Sequence, residues 1–110
     1  MTDREIISEY RNDVFVLHSL RLQIAWNLRH GLPIFDMPEK ITQIRNRLVM
    51  FGEILDRIPD RRTRNIIRCR FALGMDVYSI AEYMGMSGGH VERIVIKTMK
   101  ETEHRRTMPE

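Results

Sequence analysis

Residues 77–96 read VYSIAEYMGMSGGHVERIVI. Ile80 and Met84 are four apart and share one helical face, while Val91 and Ile94 are three apart and share another. Between them stands Gly85, a residue that takes φ > 0 without steric cost where a chain must reverse. Ala81 is small where one helix would cross another at close range. Ser87 is placed to accept from the unpaired N–H groups that open the following helix. Two short helices joined by a tight turn follow from this spacing. The pattern is that of a helix-turn-helix, which lays its second helix in the DNA major groove.

The same reasoning extends in both directions. Asp76 is a good N-cap for the helix Val77–Met84, and the next helix is expected to start after Ser87 and run to about His104. Its buried stripe is Val91, Ile94, Val95, Thr98 and Met99, with Arg93, Lys97 and Lys100 on the other side. Upstream, residues 59–73 read PDRRTRNIIRCRFAL, a third helix with Pro59 in its first position and Asp60 complementing the dipole. Arg61, Arg62, Arg64 and Arg68 fall on its outer face.

The N-terminal half reads as two longer helices. Residues 2–30 open with a capping box, Thr2 and Glu5, and end at Gly31. Ile7, Tyr10, Val14, Leu17, Arg21, Ile24 and Leu28 follow heptad spacing with one polar break at Arg21. Val16, Leu20 and Leu22 widen the apolar surface beyond one seam. The connector 31–38 carries Ile34, Phe35 and Met37, expected to pack down. Asp36 and Glu39 form a second expected capping box. The helix that follows carries Ile41, Ile44, Leu48, Phe51 and Leu55 and ends near Arg57. The expected division is a helical hairpin or oligomerisation region at 1–57, a helix-turn-helix domain at 58–104 and a tail at 105–110. The fold class is all-α, since alternating β-branched runs between turn dipeptides are absent.

Charge sharpens this division. Residues 1–58 balance at zero, so the whole net charge of +3 sits in the half with the helix-turn-helix. That asymmetry favours a polyanion partner. Cys69 is the one cysteine, which rules out an internal disulfide and agrees with a reducing compartment. Neither the opening residues MTDREIISEY nor any apolar run reads as a signal peptide or a membrane span, so a cytoplasmic protein is expected. His18, His30, His90 and His104 do not pair at metal-ligand spacing, and the sequence holds no nucleophile elbow, P-loop or dinucleotide loop. The chain is therefore read as a non-enzyme without metal or cofactor.

Residues 58–99 carry a resemblance. Ile58-Pro59-Asp60-Arg61, Ile66 to Phe71, Gly74-Met75, Ile80 to Ser87, and Val91 with Arg93-Ile94 resemble region 4 of sigma-70-type factors. They are also similar to the C-terminal domains of small phage transcription regulators of the ArpU and RinA kind. The resemblance implies promoter DNA binding and contact with RNA polymerase, in a phage or prophage setting. Gly88 and Gly89 stand where that family carries long polar side chains, which leaves His90, Arg93 and Lys97 to face bases. Phosphates would be met by Arg61, Arg62, Arg64 and Arg68, and by the N–H groups at Ser87, Gly88 and Gly89. The expected partners are double-stranded DNA, RNA polymerase and a second copy forming a homodimer, with no membrane. Two other functions fit the same elements: an adaptor that docks on RNA polymerase with little DNA affinity, and a phage DNA-packaging protein.

Overall fold

Thr2 starts the first helix as its sequence requires. Its hydroxyl accepts from the Glu5 N–H at 3.2 Å, and the Glu5 carboxylate accepts from the Thr2 N–H at 3.4 Å. In the computed structural model, which describes residues 1–103, α1 then runs Asp3–Arg29. Gly31 stops it with φ +69°, and the Leu32 N–H reaches back to the Asn27 carbonyl at 2.8 Å. The chain returns as α2 (Met37–Asp56). The third and fourth elements are α3 (Arg61–Ile67), prolonged by a π-helical turn over Arg68–Ala72, and α4 (Val77–Met84). The last is α5 (Gly88–Glu103). The described residues contain helices and no strand, so the protein is all-α. The expected end of α5 at His104 and the tail 105–110 lie outside the described residues.

The two N-terminal helices pair antiparallel along a face that differs from the expected one. Val14 and Leu28 are 43% and 63% exposed, while Asp13 and Asn27 are buried beside Ile6, Ile7 and Leu17. The seam is thus rotated from the apolar stripe, because α2 and the residues at its two ends supply partners for the polar positions. Arg47 donates to both oxygens of Asp13, at 3.0 and 2.7 Å. Arg57 donates to Asp3 Oδ2 at 3.1 Å, and the Asn27 amide donates to the Pro33 carbonyl at 3.0 Å. These three rungs share one register: ten residues separate Asp3 from Asp13 and Arg47 from Arg57, and fourteen separate Asp13 from Asn27 and Pro33 from Arg47. A slip of one turn would leave buried carboxylates unpaired, which is costly. Tyr10 stacks on Phe51 at 4.0 Å between the rungs.

Two local expectations are corrected. Phe35 does not pack down; it is 82% exposed and takes φ +42°, a left-handed conformation uncommon for a bulky residue. Asp36 precedes α2 but makes no capping bond, since its backbone is not extended (ψ 7°). Its carboxylate pairs with Lys40 at 3.4 Å instead. At α3, Pro59 lies one residue before the cap rather than inside the helix. Asp60 takes the cap, accepting from the Thr63 N–H at 3.0 Å and its hydroxyl at 2.6 Å.

The core forms two clusters that meet at Val95. One joins Ile6, Ile7, Phe51, Ile54, Leu55 and Ile58 to Ile67 and Met99. The other gathers Ile66, Cys69, Ile80, Ala81 and Val91. The first cluster draws from both sides of residues 57 and 58, so the hairpin and the C-terminal helices share a core. Gly74 adds a further tie. It turns the chain after the π-helical segment with φ +70°, and the Arg11 guanidinium lies where a Cβ would stand.

Candidate nucleic-acid interface

Local bonds set the angle between α4 and α5. Asp76 caps α4, accepting from the Ser79 N–H at 2.8 Å and the Ser79 hydroxyl at 3.2 Å. Those bonds, the backbone one first, hold its carboxyl below the ordinary aspartate range. At the other end Gly85 enters the left-handed region with φ +67°. The Met86 N–H bonds to the Ala81 carbonyl at 2.8 Å, and the Gly85 N–H to that of Glu82 at 3.3 Å. This paired closure is the Schellman arrangement that ends many helices. Ser87 then caps α5 as expected, accepting from the His90 N–H at 3.2 Å. Ile80 and Val91 are fully buried and Ala81 nearly so, which fixes the close crossing of the two helices.

The buried side of α5 carries Val91, Thr98 and Met99. Opposite stand His90, Arg93 and Lys97, all exposed, with Lys100 continuing the row. At 100° per residue, Arg93, Lys97 and Lys100 fall within one narrow arc, while Glu92 and Glu101 point to either side of it. The result is a cationic stripe at four- and three-residue spacing on the outer face of the helix.

Lys97 also connects this stripe to α3. A small groove of about 210 Å³ is lined by Pro59, Asp60, Thr63, Ile94, Lys97 and Glu101. The N-terminus of α3 therefore lies beside the middle of α5, and Arg61 and Arg62, both exposed, follow directly from it. Thr63 holds the Asp60 carboxyl below its ordinary range, through its hydroxyl first and its N–H second. The other two arginines differ. Arg64 is half-buried, and Arg68 donates to Asn65 Oδ1 at 3.0 Å along its own helix.

The two glycines at the start of α5 are not equivalent. A Cβ on Gly88 would lie 2.9 and 3.0 Å from Cδ1 and Cε1 of Tyr78, so the aromatic ring occupies the space a side chain would need. Gly89 is open apart from the Arg93 guanidinium, 3.6 Å from where its Cβ would be. The start of α5 is thus not bare, as the glycines alone suggest: Tyr78 covers one side and Arg93 reaches across the other. Tyr78 is 79% exposed and Tyr83 74%, so α4 contributes two outward phenols. Neither follows from helix periodicity alone. The available signal was the pairing of a large residue at the second position of α4 with a glycine at the first position of α5.

Among the described residues, no group of three His, Cys, Asp or Glu side chains could hold a metal ion, and no helix is long and apolar enough to cross a membrane. Comparison with protein families, with curated proteins and with solved structures finds no match to this chain.

Proposed function

We propose that the protein binds double-stranded DNA through α4 and α5, acting as a helix-turn-helix transcription regulator in a phage or prophage setting. The observation that carries this is the stripe of Arg93, Lys97 and Lys100 on the exposed face of a helix whose partner crosses it at Ala81. A helix enters the major groove with such a face, and cations on it meet phosphates and base edges. The resemblance of residues 58–99 to sigma region 4 supports the same reading and adds RNA polymerase as a second partner. Arg93 and His90 face bases. Arg61 and Arg62 serve the phosphates beside Lys97, joined by the N–H groups of Ser87, Gly88 and Gly89 at the head of α5. Tyr78 stands at that same point as a further phosphate contact.

The test is a salt titration of binding to a site selected from random DNA and to a scrambled one. Arg93→Ala is expected to lose about 1–3 kcal/mol on the selected site only. Arg61→Ala is expected to weaken both DNAs alike and to lower the salt slope by about one. If the two DNAs bind equally and Arg93→Ala changes neither, sequence-specific regulation falls. The adaptor reading then takes its place, favoured by the exposure of Tyr78 and Tyr83, since aromatic side chains are enriched in protein contacts.

A further inference from the structure

The hairpin leaves α1 with a second apolar face. Phe15, Leu22 and Trp26 are seven and four residues apart, which places them on one side, opposite the buried Ile6, Asp13 and Leu17. They are 69%, 61% and 49% exposed. No Asp, Glu, Lys or Arg interrupts them; Ser19 and His18 lie between, and the face is bounded by Arg11 and Arg29. The molecule is only 16 Å thick, and its radius of gyration is 16.9 Å, against about 13 Å for a compact chain of this length. The C-terminal segment reaches this side at its Arg11 end, where Ala72 borders the hollow beside Phe15 and Gly74 lies against the Arg11 guanidinium, while Phe15, Leu22 and Trp26 stay exposed.

The shape of the face is informative. One surface hollow is lined by Ser19, Leu22, Gln23 and Trp26. Another is lined by Arg11, Val14, Phe15 and His18, with Tyr10 and Ala72 at its edge. Each set of four is a residue with its neighbours three, four and seven places on, the outline of a hole that accepts one side chain from a facing helix. Both hollows lie in the same groove, between the ridge Arg11, Phe15, Ser19, Gln23 and the ridge Val14, His18, Leu22, Trp26. A groove between ridges of four-residue spacing receives an identical ridge when helices cross at about 50°.

We propose that this face is the interface of a homodimer, in which α1 packs antiparallel on α1 of a second copy, crossing near Ser19 and Leu22. The partner's Leu22 and the partner's Val14, eight apart on one such ridge, enter the two hollows. Two observations select a second copy as the occupant. The first is area: the three side chains expose roughly 350 Å² of apolar surface. Counted on both copies, with the polar rim of an ordinary interface, that is about 1,200 Å², the low end for a specific dimer. The second is charge: between Arg11 and Arg29 this face carries no Asp, Glu, Lys or Arg, so a second copy covers it without stranding a charge at the crossing. Dimerisation is therefore expected in the micromolar range, and it stands whether or not DNA is bound.

Sedimentation equilibrium from low micromolar to several hundred micromolar tests this directly. The mass should rise from 13.1 kDa towards twice that value. Leu22→Asp replaces an exposed residue, so folding is spared and checked by circular dichroism. It should weaken the dimer by roughly a hundredfold, because a carboxylate is buried unpaired at the crossing. An introduced cysteine reports the orientation, the native Cys69 being buried. Ser19→Cys should cross-link to its own copy, whereas Arg29→Cys should not, lying roughly 25 Å from its copy across the antiparallel crossing. A monomer throughout, equal dimerisation by Leu22→Asp, a cross-link at residue 29 or a ring of many subunits would each overturn the proposal.

Discussion

Replacing Gly88 by alanine asks whether the Tyr78 ring truly rests on the start of α5. Two effects oppose each other. Alanine is favoured over glycine in a helix by up to about 1 kcal/mol. Its Cβ, however, would stand 2.9 Å from the ring edge, closer than carbon atoms approach, so the ring must leave its seat. Tyr78 is largely solvent-facing and free to swing, so the cost is that of an unfavourable rotamer and lost contact, about 0.5–1.5 kcal/mol. Gly88→Ala alone should thus change stability little. In a Tyr78→Ala background the space is vacant, and the same substitution should stabilise by up to about 1 kcal/mol. The coupling between the two sites should be about 0.5–1.5 kcal/mol, read from urea unfolding of the four proteins with a common slope. If Gly88→Ala stabilises equally with and without Tyr78, to within about 0.3 kcal/mol, the ring does not sit there in solution. The glycine would then have no steric reason on this helix.

Two further outcomes follow from the charged groups. Arg47→Ala strands the carboxylate of Asp13, which is only 3% exposed, and should cost about 3 kcal/mol in denaturant unfolding; removing both partners with Asp13→Leu and Arg47→Met should recover most of that loss. The caps give a pH dependence: because the Asp60 and Asp76 carboxyls are both held low, their stabilisation is complete above the ordinary value of 3.8 and is lost as pH falls below it through the folded values. Asp76→Asn, which can still cap without titrating, should show a smaller drop in thermal midpoint between about pH 5 and pH 3 than the parent.

What could be read from the sequence was what is local. Thr2 and Glu5, Gly31, Asp76, Gly85 and Ser87 act on backbone groups within a few residues, so their roles follow from spacing alone. The seam of α1 did not follow in the same way. Val14 and Leu28 look like core and Asp13 and Asn27 look like surface until Arg47 and Pro33, more distant in the chain, are placed opposite them. Periodicity reports which side of a helix is apolar, and α1 is apolar on more than one side. Asp36 shows the converse case: the right residue type stands before a helix, but its backbone is turned so that the carboxylate cannot reach an N–H. At the candidate interface, the exposed positions of His90, Arg93 and Lys97 were legible from helical spacing. The seat of Tyr78 on Gly88 was not, because it joins two helices whose crossing angle only the fold supplies.

The register of the hairpin is held by Asp3 with Arg57, Asp13 with Arg47 and Asn27 with Pro33, and the last of these closes before the chain has finished turning. Ile34, Phe35 and Asp36 therefore lie beyond the final rung and carry none of the alignment. They also sit at the end of the hairpin away from Ile58 and Met99, where it joins the shared core. Extra residues spliced in at this tip would lengthen a loop that already strains at Phe35, and loop length costs little free energy. The tip is in effect a docking port for foreign sequence, where a fluorescent or affinity module could be carried without altering how the helices align.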